Sequence, residues 1–207
     1  FILELIGTVA FASSGAMIAI EKKMDIFGVN VLGATTAVGG GIMRDIILGL
    51  TPPGAFSHPV YVLVAALTST ILFVIAYAKP TAFESRVKTD YYDKLMFWCD
   101  TAGLGIFTVV GIQAAVRAVG GENVFFFVFI GTLTGVGGGV LRDIMAGETP
   151  YILVKHIYAC AAIAGGIVCV VGRTAFGEAY GTILGLAATV LLRFLAAHFR
   201  WNLMRVS

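Results

Sequence analysis

Seven apolar runs, near residues 1–20, 26–50, 58–78, 95–117, 124–147, 153–172 and 178–198, take up most of the 207-residue chain. Each is close to the ~20 residues that an α-helix needs to cross the hydrocarbon core of a bilayer. Within hydrocarbon every backbone N–H and C=O must find its partner inside the protein, so only helices and closed β-barrels can span. Barrel strands would alternate apolar and polar residues over about ten positions, whereas these runs are continuous. The sequence therefore predicts an all-α, polytopic membrane protein with seven transmembrane helices and little chain left for a soluble domain. A composition that is 58% hydrophobic and 13% charged, with a mean hydropathy of +0.93, agrees. Lys22 and Lys23 follow the first run, the reverse of a secretory signal's order, so that run counts as a span.

Seven spans put the termini on opposite sides and sort the connecting segments into two sets. One set, with the C-terminal tail, holds Lys22, Lys23, Lys79, Arg86, Lys88, Lys94, Lys155, Arg200 and Arg205; the other holds Arg117 and Arg173. The positive-inside rule makes the richer set cytoplasmic, with the N-terminus outside and the C-terminus inside. The basic segment KPTAFESRVKTDYYDK, 79–94, either touches anionic lipid headgroups or serves as a solvated loop that fixes topology.

Two spans contain residues that an apolar helix disfavours. Residues 38–52 read VGGGIMRDIILGLTP and residues 136–150 read VGGGVLRDIMAGETP, both fitting GGGxxRDxxxGxTP after a shift of 98 residues. A shift of 96 places Glu4 on Asp100, Gly7 on Gly103, Phe11 on Phe107 and Gly15 on Gly111. The chain thus divides into a first three-helix repeat (1–78), a basic cytoplasmic linker (79–94), a second repeat (95–172), and a seventh helix with a tail (173–207). Three is odd, so the second repeat enters from the opposite face. The two are then related by a pseudo-two-fold axis in the membrane plane, as in many transporters.

Each glycine inside a helix costs about 1 kcal/mol relative to alanine. Gly39, Gly40 and Gly41, with Gly137, Gly138 and Gly139, therefore either kink or break their helices or let two helices pack closely. Broken helices meeting at the axis would frame a hydrophilic path. Thr36 and Thr134 precede the triplets and present their hydroxyls to that path or bond them back to their own helices. Arg44 and Arg142 need partners at membrane depth. Adjacent helical residues point ~100° apart, so Arg44 is expected to pair across with Asp143 or Asp100, and Arg142 with Asp45 or Glu4. These charges act as a structural network or as pore walls and gates.

Cys99, Cys160 and Cys169 fall in or beside spans without metal-ligand spacing, and His58, His156 and His198 form no HExxH-like cluster. No metal, organic cofactor, nucleic-acid partner or enzymatic activity is expected.

The doubled motif, the seven spans and the three-plus-three-plus-one layout resemble the trimeric intracellular cation channel family. The resemblance is to its prokaryotic members, also known as uncharacterised or glycine-transporter membrane proteins. It implies a homotrimer with a pore in each subunit, lined by helices two and five and passing monovalent cations, potassium above all. Carried over residue by residue, the pore-kink role falls on the two triplets and the Arg-Asp role on Arg44, Asp45, Arg142 and Asp143. Gly181 and Gly185 in the seventh span have GxxxG spacing, suited to helix packing within or between subunits. The alternative is an alternating-access carrier for a small amino acid such as glycine.

Overall fold

A computed structural model describes residues 1–78, 90–121, 123–154, 157–199 and 201. The basic linker lies largely outside the described residues, and with it the headgroup contact expected there. The described chain is helical: α1 (Ile2–Glu21), α2 (Ile26–Ile47), α3 (Gly54–Ser57), α4 (Val60–Ala78), α5 (Asp90–Val119), α6 (Val124–Met145), α7 (Tyr151–Val154), α8 (Tyr158–Phe176) and α9 (Glu178–His198). All but the short α3 and α7 are long and apolar enough to cross a bilayer. The protein is a multi-pass membrane protein, and α4 leaves Leu63, Leu67, Ile71 and Val74 exposed, as a lipid-facing helix should.

The repeats use the same local chemistry at equivalent positions. Asp25 caps α2 by accepting from the Gly28 N–H at 2.7 Å, and Asn123, 98 residues on, caps α6 by accepting from Phe126 at 3.0 Å. Both helices stop before the expected 50 and 147, because Gly49 and Gly147 take φ of +71° and +72°. There the Leu50 N–H donates to the Asp45 carbonyl and Gly49 to Ile46; Glu148 donates to Asp143 and Gly147 to Ile144. This is the double bond that closes a helix through a left-handed residue, a conformation that favours glycine. The GxTP half of each motif is a helix stop.

The break expected at the glycine triplets is absent. Residues 39–41 and 137–139 lie within continuous α-helix, and the glycines pack the two helices closely. A Cβ on Gly40 would collide with the Thr134 carbonyl oxygen, and one on Gly138 with that of Thr36; Gly39 meets Leu141, and Gly137 meets Met43 and Gly40. From the Thr36–Gly138 contact to the Gly40–Thr134 contact the numbers rise on α2 as they fall on α6, so the two helices cross antiparallel, backbone against backbone. α1 and α5 repeat the arrangement, with Gly7 against Phe107 and Gly103 against Phe11. The equivalent rings of Phe11 and Phe107 meet with centroids 5.3 Å apart. These reciprocal contacts are the pseudo-two-fold axis, and they make the second repeat an inverted copy of the first.

Helix α9 packs on α8 and α5. Gly181 and Gly185 sit against the backbone of Arg173 and the Cα and Cβ of Cys169, so their GxxxG contact is within the chain. At one end of the bundle Lys22 Nζ lies 2.7 Å from Glu148 Oε1, tying the turn after α1 to the turn after α6. Glu148, by hydrogen bond and charge, raises the Lys22 pKa above its ordinary 10.5. While Glu148 is ionised, the contribution of Lys22 to the bridge is complete below that pH and is lost as pH climbs through the raised value.

Replacing Gly40 or Gly138 by Ala should destabilise the protein by about 1–3 kcal/mol, because the obstructing atoms are backbone. Gly41→Ala should be tolerated, since its Cβ would meet nothing closer than Arg44 Nη2 at 3.8 Å. Thermal unfolding in detergent checks the contrast.

Candidate functional site

The antiparallel crossing sends the two Arg-Asp pairs to opposite ends. Each follows the central glycine of its triplet by four to five residues, about 6 Å or more of helix rise, in opposite directions. The expected crossed pairing therefore does not occur: Arg44 meets neither Asp143 nor Asp100, and Arg142 neither Asp45 nor Glu4. Each arginine instead folds around its own helix onto the next residue, with Arg44 Nε donating to Asp45 Oδ1 at 2.7 Å and Arg142 Nε to Asp143 Oδ1 at 2.9 Å. Its long flexible side chain spans the 100° step that argued against this pairing.

The second carboxylate oxygen explains the motif's remaining spacing. Asp45 Oδ2 accepts from the Gly54 N–H at 2.7 Å, and Asp143 Oδ2 from the Tyr151 N–H at 2.7 Å. Each aspartate thus holds the first turn of the short helix, α3 or α7, that follows the TP step. Arg, Asp, helix stop and short helix form one unit, present twice.

The two ends then diverge. Arg142 is 1% exposed; its Nη1 donates to Asp100 Oδ1 at 2.8 Å and also to Ser14 Oγ from the first repeat. The Arg44 side chain is 13% exposed. Glu4, the counterpart of Asp100, accepts instead from the Tyr61 hydroxyl at 2.6 Å. At the Arg44 end a cavity of about 380 Å³ is lined by Glu4, Thr8, Ala37, Gly41, Arg44 and Asp45, among others. At the Arg142 end a cavity of about 590 Å³ reaches Asp100, Arg142, Tyr151 and Arg193. The two share no lining residue. Between them stand the Gly40–Gly138 crossing and the Phe11–Phe107 pair.

The glycines have distinct stations. Gly39, Gly40, Gly137 and Gly138 build the crossing; Gly41 lines the first cavity, and a Cβ added to Gly139 would lie 3.3–3.8 Å from the Tyr158 hydroxyl, Arg142 Nη2 and Asp100 Oδ1. Thr36 and Thr134 are buried and bond back to the carbonyls of Leu32 at 2.6 Å and Ile130 at 2.7 Å, so their hydroxyls do not face a cavity. They pack against Gly15 and Gly111.

Sequence reading missed Tyr61, Ser14 and above all Arg193. A charge inside a span is itself a signal of function, and Arg193, within the 178–198 run, met that test.

The family model described as Glycine transporter matches residues 1–77 and 97–174. The UPF0126 inner membrane protein YadS of Escherichia coli K12 is 37% identical over 203 residues, covering 97% of this chain and 92% of that protein. The Bacillus subtilis UPF0126 membrane protein YvgT is 33% identical over 98% of this chain and 94% of its own length. Among solved structures, one described as a basis for conductance through TRIC cation channels superposes with a TM-score of 0.83 at 36% identity, covering 100% of this chain and 96% of that one. The TRIC trimeric intracellular cation channel orthologue from Rhodobacter sphaeroides gives 0.84 at 33%, covering 97% of each chain.

Asp143→Ala should destabilise by about 3–5 kcal/mol, because it leaves the buried guanidiniums of Arg142 and Arg193 to share the single carboxylate of Asp100. Asp45→Ala should cost less, on the order of 1.5–3 kcal/mol, since water in the adjoining cavity can solvate Arg44. Paired thermal or chemical unfolding of the two variants measures the difference.

Proposed function

This chain belongs to the trimeric intracellular cation channel family, and on that premise we propose that it is a cation channel, with potassium as the main permeant ion and a pore in each subunit of a homotrimer. The observation that carries the reading is the antiparallel crossing of α2 and α6 with a charge-lined cavity at each end. A cation entering at the Arg44 end meets the carboxylates of Glu4 and Asp45, passes Gly41 and Ala37, and must open the crossing to reach Gly139 and Asp100. At Gly40 and Gly138 the two helices meet backbone to backbone, so a slight shift of one helix against the other, with the side chains of Leu141 and Met43 and the Phe11–Phe107 pair moving aside, opens the crossing. Selectivity by this route is loose, set by carboxylate fields and not by a ring of carbonyls.

The basic turns favour the Arg142 end as the cytoplasmic side, with the N-terminus outside. In this orientation Glu4, Tyr61 and Arg44 form the external vestibule.

One observation favours a second reading. Cavities at opposite ends with a closed centre also suit an alternating-access carrier, and paired Arg and Asp groups could clasp the carboxylate and ammonium of a small amino acid such as glycine.

Purified protein in planar bilayers under a potassium gradient, with parallel liposome uptake of labelled glycine, separates the two. Unitary currents reversing near the potassium potential are expected; saturable glycine exchange without such currents would establish the carrier. Arg44→Ala should change unitary conductance or open probability several-fold with the fold and assembly intact, whereas loss of assembly with no transport phenotype would make Arg44 purely structural.

A further inference from the structure

Helix α9 has no counterpart in either repeat, and it brings one charge into the interior. Arg193 is 2% exposed. Its guanidinium carbon lies 4.7 Å from the ring centroid of Tyr158, 4.8 Å from that of Phe97 and 5.7 Å from that of Tyr151. Its Nη2 is 3.6 Å from Asp100 Oδ2. Ring faces carry negative potential and attract a cation placed within about 6 Å of their centroids. Three rings and a carboxylate therefore form an aromatic cage, with Arg193 inside it.

The occupant is held by charge and stacking more than by hydrogen bonds. Nε donates to Thr101 Oγ1 at a long 3.3 Å, and Nη2 is buried with no hydrogen-bond partner. Arg142 beside it is fixed by bonds to Asp143, Asp100 and Ser14. The cage also forms part of the wall of the cavity at the Arg142 end, and Asp100, the carboxylate a cation would meet there, already faces two guanidinium groups. Glu4 at the other end accepts from the Tyr61 hydroxyl and, among the described residues, pairs with no arginine.

We propose that Phe97, Tyr151, Tyr158 and Asp100 form a binding site for a guanidinium-type organic cation, that the chain fills this site with its own Arg193, and that the tethered cation, seated in the wall of the cavity at the Arg142 end, plugs the way inward from it by occupying Asp100. The plug half rests on the channel reading; the cage half does not.

The test uses full-length Arg193→Ala with methylguanidinium as the probe. In thermal unfolding, methylguanidinium should stabilise Arg193→Ala saturably and leave the parent protein unchanged. In bilayers, Arg193→Ala should carry at least tenfold more potassium current than the parent, and methylguanidinium added at the Lys22–Glu148 end should suppress that excess. A folded Arg193→Ala with no saturable stabilisation, or a parent protein stabilised equally, overturns the cage. Stabilisation without added current, where the parent conducts, overturns the plug. If neither protein conducts while glycine uptake proceeds, the channel reading fails and the plug with it, and the thermal shift still decides the cage. Should Arg193→Ala not fold, Phe97→Leu removes one ring and keeps the arginine: a several-fold rise in current is expected, and unchanged current overturns the proposal.

Discussion

The structure depends on the close approach of α2 and α6 at Gly40 and Gly138. A Cβ at either position would strike the carbonyl of the opposing threonine, so the crossing exists only because neither residue has a side chain there. In hydrocarbon, helices gain little from burying apolar surface against each other, and close backbone packing takes over as the driving contact. Three glycines in a row lose conformational entropy on becoming helical; each triplet recovers it by serving the crossing and, through its third glycine, by bringing backbone up to a charged cluster. The antiparallel sense of that contact sends one Arg-Asp pair to each end of the bundle.

What the axis makes equivalent, the seventh helix makes different. Both ends have the same unit, in which an aspartate joins its neighbouring arginine to the first N–H of a short helix. At the Arg44 end that unit borders an open cavity, and the acidic residue of the preceding helix bonds a tyrosine. At the Arg142 end Asp100 meets Arg142 and Arg193, and Ser14 crosses over from the first repeat to complete the cluster. A symmetric scaffold with one occupied end is suited to a path that is closed at rest and opened from one side.

The membrane class, the seven spans and the inverted repeat were legible because they rest on run length and on residue identity at fixed shifts, which survive without coordinates. The antiparallel contacts of Phe11 with Gly103 and of Gly7 with Phe107 cross between the two pairs that the 96-residue shift had aligned, Gly7 with Gly103 and Phe11 with Phe107. The pairing of the charges was not legible. The 100° rule treats side chains as short radial vectors, and arginine is long enough to defeat it; nor did the sequence reveal that each aspartate has a second acceptor oxygen engaged by a backbone N–H eight or nine residues on. The helix stop at Gly49 was hidden by Leu48 and Leu50 on either side of it, and at Gly147 the apolar run extends only two residues past the last helical one. Arg193 was overlooked because one arginine near the end of a last span resembles an anchor that reaches toward water, and only three-dimensional packing surrounds it with rings from α5, α7 and α8.

The central claim is that one crossing serves as both barrier and path, and cysteine accessibility at Ala37, beside Gly41 in the first cavity, tests it most directly. With Cys99, Cys160 and Cys169 replaced and Ala37→Cys introduced, a small cationic thiol reagent should react from the Arg44 side alone while the channel is closed, and from both sides during potassium flow. Reactivity that switches from one side to the other, and is never present from both at once, would contradict a channel and make the crossing the hinge of a carrier.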